Sequence, residues 1–114
     1  MSTATGAAPA IPMLPGLAAL AADYEGFILD VWGVMHQGGP AYPEAIDCVR
    51  RLRAAGKRVA FLSNAPRLAP QVAAVLGAKG VDAALYDVVV ASGDAARQAL
   101  AARSGPLAEG LGRR

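Results

Sequence analysis

The sequence predicts an α/β protein built on a parallel sheet with flanking helices, and three observations predict it. Three short apolar runs, Phe27–Leu29, Val59–Leu62 and Val88–Ala91, are nearly uninterrupted and partly β-branched. That composition suits strands buried on both faces. Between and after them lie stretches with apolar residues at helical spacing. Each run also finishes in polar residues: Asp30, then Ser63-Asn64, then Ser92-Gly93-Asp94. Strand and helix alternating three times, joined by right-handed crossovers, make a doubly wound α/β unit.

The elements follow in order. Residues 1–14 are small and Pro-rich and read as a loose tail. Leu17 to Ala22 forms a short lead-in helix. The first crossover helix runs from Pro43 to Ala55, with Pro in the first turn, where its missing N–H costs nothing. Ile46, Val49 and Leu52 fall on one side, and Gly56 supplies the C-terminal cap. Pro70 to Lys79 repeats the arrangement, with Val72, Val75 and Leu76 as the apolar face and Gly80 as the stop. A third helix starts after Ser92, carries Asp94 in its first turn and runs to about Ala102. This divides the chain into a tail and short helix over 1–23, a core unit over 24–103 and a C-terminal tail over 104–114. There is no internal repeat beyond the strand–helix rhythm.

Composition narrows the function classes. At 114 residues the chain has room for one core. Apolar residues make up 54% but include only two Phe, three Tyr and one Trp, so that core is built from Val, Leu, Ile and Ala. Net charge is +2, and Arg50, Arg51 and Arg53 cluster on a helix as a solvated face. Without interleaved aromatics they do not read as a nucleic-acid surface. Cys48 is the only cysteine, so no internal disulfide forms; it reads as a buried structural thiol in a reducing compartment. The N-terminus lacks a basic start and is broken by Pro12, Pro15 and Gly16, unlike a signal peptide. Nothing approaches the roughly 20 apolar residues that span a bilayer. The expectation is a cytoplasmic protein with no membrane and no nucleic-acid partner.

The strand ends carry the chemistry. In open parallel sheets ligands bind just beyond the carboxyl ends of the strands. If the three strands are neighbours, a carboxylate, two hydroxyls and an amide meet in one crevice. Asp30 alone has a plainer role, capping the next turn. Gly33 adds to it, freeing the backbone to curl into a nest of N–H groups for an anion. Ser63-Asn64, followed by Ala65-Pro66-Arg67, adds a hydroxyl and a guanidinium suited to phosphate oxygens. A carboxylate beside an anion needs a cation between them, and Mg²⁺ commonly bridges carboxylate and phosphate. A carboxylate can also attack phosphorus, giving an aspartyl phosphate that water hydrolyses, with the metal polarising the phosphoryl group.

Asp30-Val31-Trp32-Gly33-Val34, then Phe61-Leu62-Ser63-Asn64-Ala65-Pro66-Arg67, then Ala91-Ser92-Gly93-Asp94-Ala95 together resemble the haloacid dehalogenase (HAD) superfamily. More narrowly, the chain is similar to its capped phosphatases of nucleotides, sugar phosphates and phosphoglycolate. The resemblance covers about residues 24–103. It implies a three-layer, Rossmann-type parallel sheet, incomplete here, and a hydrolase acting on a small phosphorylated metabolite with Mg²⁺. By that resemblance Asp30 is the nucleophile and a metal ligand, and the main-chain carbonyl of Trp32 is a second ligand. Ser63 holds the transferring phosphoryl group, Asn64 and Arg67 border the substrate pocket, and Gly33 shapes the anion loop. Ser92-Gly93-Asp94 is structural, near where core gives way to cap.

Two departures shape the expectation. Phosphatases of this family carry a second Asp two places after the nucleophile as general acid and base, and this chain has Trp32 there. Indole exchanges no proton near neutral pH, and general acid–base help is worth roughly 10²–10⁴-fold. The family's later Lys and acidic metal ligands also have no counterpart in the sequence. Lys57 and Lys79 read as solvated cations at helix ends, His36 as a solvent-facing loop residue, and Tyr42 as packing on the Gln37–Pro40 turn. The expectation is therefore the N-terminal part of a HAD-like phosphatase, impaired as this chain. An incomplete sheet would leave it marginally stable or in need of a partner chain or second copy. The alternative is a non-catalytic phosphate-binding or partner-dependent module. A dinucleotide binder is disfavoured, because the first strand–helix turn lacks GxGxxG.

Overall fold

The structure, a computed structural model, describes residues 8–103, 105–106 and 108–112. Three strands, β1 (Gly26–Asp30), β2 (Arg58–Ser63) and β3 (Val88–Ala91), form one parallel sheet in the order β1-β2-β3. Helix α1 (Ala18–Ala21) precedes the sheet. Helix α2 (Pro43–Ala54) links β1 to β2, and α3 (Ala69–Ala78) with a 3₁₀ turn over Ala83–Leu85 links β2 to β3. Helix α4 (Ser92–Ala102) leaves β3 directly. The expected elements are all present, with α4 starting on Ser92 rather than after it. Residues 105–106 and 108–112 are not simply trailing chain: Gly105 O accepts from the N–H of Ala108 and Glu109, and Ala108 is buried.

Each crossover helix forms where the sequence favours it. Pro sits in the first turn of both α2 and α3, and Glu44 stands at the positive end of α2. The N-terminus of α3 gains a side-chain cap of its own, since Gln71 Oε1 accepts from the Leu68 N–H at 3.0 Å. Arg51 and Arg53 occupy the last turn of α2, against the negative end of its dipole. Arg53 is not a solvated cation, because its guanidinium reaches Asp87 at 2.7 Å and the Lys57 carbonyl at 3.4 Å. Asp87 also accepts from the Val59 N–H at 2.9 Å, which ties the start of β2 to the start of β3. Those two hydrogen bonds, the backbone one first, hold the Asp87 carboxyl below its usual range.

A sheet whose order runs 1-2-3 without reversal, connected by right-handed crossovers, receives both helices on one side. The core sits there. Val59, Phe61 and Val89 meet Val49 and Leu52 of α2 and Val72 and Leu76 of α3, and Phe61 stacks edge-on against Tyr86 at 5.2 Å. Cys48 is half-buried at the edge of this core rather than sealed in it. The opposite face is open: Ile28, Leu62, Val88 and Val90 stay 45–75% exposed. Strands whose composition suits burial on both faces are therefore buried on one, as an incomplete sheet leaves them.

Candidate active site

The register settles how the strand ends relate. Asp30 lies opposite Leu62, and Ser63, one residue further on, lies opposite Ala91. Adjacent strands are about 4.8 Å apart and rise about 3.3 Å per residue, which puts the Asp30 and Ser63 Cα atoms about 6 Å apart at one rim. Alternation gives their side chains different starting directions, however. Asp30 shares the open face with Leu62 and is exposed, whereas Ser63 follows Phe61 onto the covered face and is 8% exposed. The two hold their rim positions through local bonds. Asp30 Oδ1 accepts from the Val31 N–H at 2.8 Å, and Ser63 Oγ accepts from the Ala65 N–H at 3.2 Å.

After Asp30 the chain turns tightly. Val31 O accepts from the N–H groups of Val34 and Met35, Gly33 takes φ +80°, and its N–H donates to His36 O at 2.7 Å. A positive φ of that size favours glycine, so Gly33 makes the turn by its backbone. No main-chain hydrogen bond among the described residues ends on the Trp32 carbonyl. Met35 anchors the loop in the core, and the Trp32 ring stays 62% exposed.

A cleft of about 410 Å³ opens between this loop and α3. Trp32, His36 and Gly38 line it from the loop, Ser63, Asn64 and Arg67 from the end of β2, and Val72, Val75, Leu76 and Lys79 from α3. Four of the sequence-derived site residues thus meet in one place, while Asp30 stands beside the cleft rather than in its wall. Ser92-Gly93-Asp94 braces the loop after β2, as its structural role requires. Gly93 N–H donates to Ala65 O at 3.1 Å, and Ser92 Oγ reaches Ser63 O at 3.4 Å. A Cβ on Gly93 would come within 2.5 Å of Arg67 N and 2.6 Å of its O, so the two backbones touch only because the side chain is missing.

Two cleft residues escaped the reading of the sequence. His36 is buried, not solvent-facing: it is 5% exposed, its Nδ1 accepts from the Gly38 N–H at 2.9 Å, and its ring meets Trp32 edge-on at 5.5 Å. Burial, and then the nearby Lys79 ammonium, push its pKa below the ordinary value. Lys79 is not a free helix-end cation either, since Nζ donates to Gly38 O at 2.7 Å and to Gly39 O at 2.8 Å. The signal was present in the Gly-Gly pair, whose bare carbonyls accept a cation without steric cost, but nothing local said which lysine would arrive.

The described residues hold no group of three or more His, Cys, Asp or Glu side chains able to enclose a metal. Asp30 with the Trp32 carbonyl is a smaller set, and Mg²⁺ is commonly held by one or two carboxylates together with substrate phosphate and water. The residues present fit that mode. No helix among the described residues is long and apolar enough to cross a membrane.

Comparison with known proteins supplies the class. A family model described as haloacid dehalogenase-like hydrolase matches residues 27–109. The chain belongs to that family. It is similar to a solved structure, a hydrolase of the haloacid dehalogenase-like family from Brucella suis 1330, at 40% identity and a TM-score of 0.70. That match covers 78% of this chain and 34% of the other, so the chain spans about a third of the length of that relative. No curated protein matches the chain.

Proposed function

We infer that the chain contributes the nucleophile and the phosphoryl-holding loop of a phosphatase acting on small phosphate esters with Mg²⁺. The observation that supports this most is the register, which sets the backbones of Asp30 and Ser63 on adjacent strands at one rim, a residue apart. In this reading an Asp30 oxygen attacks phosphorus, the phosphorus–oxygen ester bond breaks and the alcohol departs. Water then attacks the aspartyl phosphate, releasing inorganic phosphate and restoring the carboxylate. Ser63 Oγ and the N–H groups after it hold the phosphoryl oxygens, with Asn64 and Arg67 at the border. Asp30 and the Trp32 carbonyl would hold the metal, which when bound would shield the carboxylate from the phosphate and polarise the phosphoryl group.

Proton supply is where this chain differs. Trp32 offers none, and His36 does not replace it. With Nδ1 already accepting from Gly38, the ring proton lies on Nε2. A second proton would break that bond and charge a buried ring. His36 is thus a neutral support for the indole, and the leaving oxygen takes its proton from water. The test is phosphate release from a panel of small phosphate esters by the 114-residue chain, with Mg²⁺ and with a chelator. Release is expected to need the metal and to vanish in Asp30→Asn; release that survives that substitution overturns the reading. Tight binding of inorganic phosphate without turnover would favour the alternative, a non-catalytic phosphate-binding module.

A further inference from the structure

The cleft is asymmetric along α3. That helix has 10 residues, so it is about 15 Å long at 1.5 Å per residue. Arg67 stands two residues before its first residue and Lys79 just after its last. At the Arg67 end lie Ser63, Asn64 and the helix N-terminus, whose partial positive charge favours an anion. At the Lys79 end the cleft is closed by the clasp of Nζ on Gly38 O and Gly39 O, which occupies that cation with the protein's own carbonyls. Between the ends, one wall is the Trp32 indole and the other is aliphatic, made by Val72, Val75 and Leu76.

The indole is held as a wall. His36 meets it edge-on, and the Trp32 ring lies where a Cβ on Gly38 would sit only 3.5 Å away. A Trp left 62% exposed and yet fixed by two neighbours presents its ring ready to stack. A slot of this size, apolar along its length, with the Lys79 ammonium held by two carbonyls at one end and Ser63, Asn64 and Arg67 at the other, matches a ligand with one anionic end and a flat, uncharged body.

Leaving-group chemistry points the same way on separate grounds. With no acid at position 32, an ester oxygen must depart largely as its anion. A phenol has a pKa of about 10, several units below the value near that of water expected of an aliphatic alcohol. An aryl ester therefore needs protonation least.

We propose that the cleft selects aryl phosphates, monoesters whose phosphate oxygen is bonded directly to an aromatic ring, with the ring laid on Trp32 and the phosphate at the Ser63–Arg67 end. The proposal rests on the phosphatase reading above. Trp32 is the chain's single tryptophan, so its fluorescence reports the slot directly.

The experiment titrates the 114-residue chain, with Mg²⁺, against phenyl phosphate, glycerol 3-phosphate and inorganic phosphate. Phenyl phosphate is expected to change Trp32 emission and to bind about threefold to tenfold more tightly than glycerol 3-phosphate, as one stacking contact allows. It should also be hydrolysed faster. Trp32→Leu, read by calorimetry, should bring that affinity ratio to about one, and because the ring is exposed the fold should tolerate the change. Equal binding and equal turnover of the two esters, with Asp30-dependent phosphate release intact, overturns the aryl selectivity alone. Absence of both phosphate binding and release overturns the phosphatase reading, and this inference with it. Trp32 emission that responds to neither ester, while further chain from a longer form of the protein quenches it, shows that protein covers the slot and also overturns the proposal.

Discussion

The two faces of the sheet have nearly the same chemistry and opposite fates. On one, Val59, Phe61 and Val89 are at most 9% exposed; on the other, Leu62 and Val90 in the same strands are 45–50% exposed. Apolar character does not separate them, since both faces carry large apolar side chains and β-branched valines. Connectivity does. A strand order without reversal and a fixed crossover hand send α2 and α3 to the same side, so the second face has only what comes from elsewhere to cover it. Burial within a strand is thus decided by the path of the chain and not by the hydrophobicity of the residue.

The largest way to break this contrast is a pair of truncations one residue apart. Phe61→Ala removes a ring with no exposed surface that also stacks on Tyr86, and should cost about 3–5 kcal/mol. Leu62→Ala, half exposed, should cost about 1 kcal/mol or less. Urea denaturation of both variants checks the ratio, and equal losses would mean that the open face is covered in solution.

A second pair contrasts two glycines. Gly93→Ala would drive a Cβ into the backbone of Pro66 and Arg67, so one of two packed segments must shift, at about 1–3 kcal/mol. The same substitution at Gly77, in α3 with open space around it, should instead stabilise by about 0.5–1 kcal/mol, because alanine favours the helix. Thermal melts give both signs. The Gly93 shift should also appear as altered amide resonances at Ser63–Arg67, which a remote loss of stability would leave in place.

The open face offers the third test. Ile28, Leu62, Val88 and Val90 together make an apolar surface of the kind that monomers seldom leave uncovered. The isolated chain is expected to melt at a temperature that rises with its concentration, and Leu62→Glu should flatten that dependence. A cooperative melt independent of concentration would show that one covered face suffices.

These contrasts also mark what was legible beforehand. Strands, helices and their order were readable because Pro and Gly punctuate a sequence whose apolar spacing changes from continuous runs to helical faces. Ser63, Asn64 and Arg67 were readable as neighbours because they end or follow one strand, and Asp30 as a rim residue because it ends the strand beside it. An uncovered face was readable from the incomplete sheet, but which strand residues it would hold was not, since continuous apolar runs announce burial without saying by what. His36 and Lys79 were misjudged for a related reason. Their partners, Gly38 N–H for the one and Gly38 and Gly39 carbonyls for the other, are backbone groups, and backbone groups leave no residue type to recognise. The pairing of Lys79 with a loop 40 residues earlier is a fact of tertiary path alone.

The smallest expected effect sharpens the account of His36. Its folded pKa is lowered, first by burial and then by Lys79, from an ordinary value of 6.5. Above that value the ring is neutral folded and unfolded alike, and its contribution to stability is fully present. As pH falls below it, the unfolded chain takes the proton first while the folded chain resists, so stability is lost until the folded pKa is passed. His36 is the one histidine, and Asp87, whose folded pKa is also lowered, loses its contribution only in the carboxylate range, from 3.8 downward. The interval from about pH 7 to about pH 5 therefore isolates the imidazole. The chain should lose stability across that interval, and His36→Gln, which has no group to protonate there, should lose less. Melts at the two pH values decide it: equal losses would mean that the ring is not shielded, and with it the argument that His36 stays neutral beneath the indole would fall.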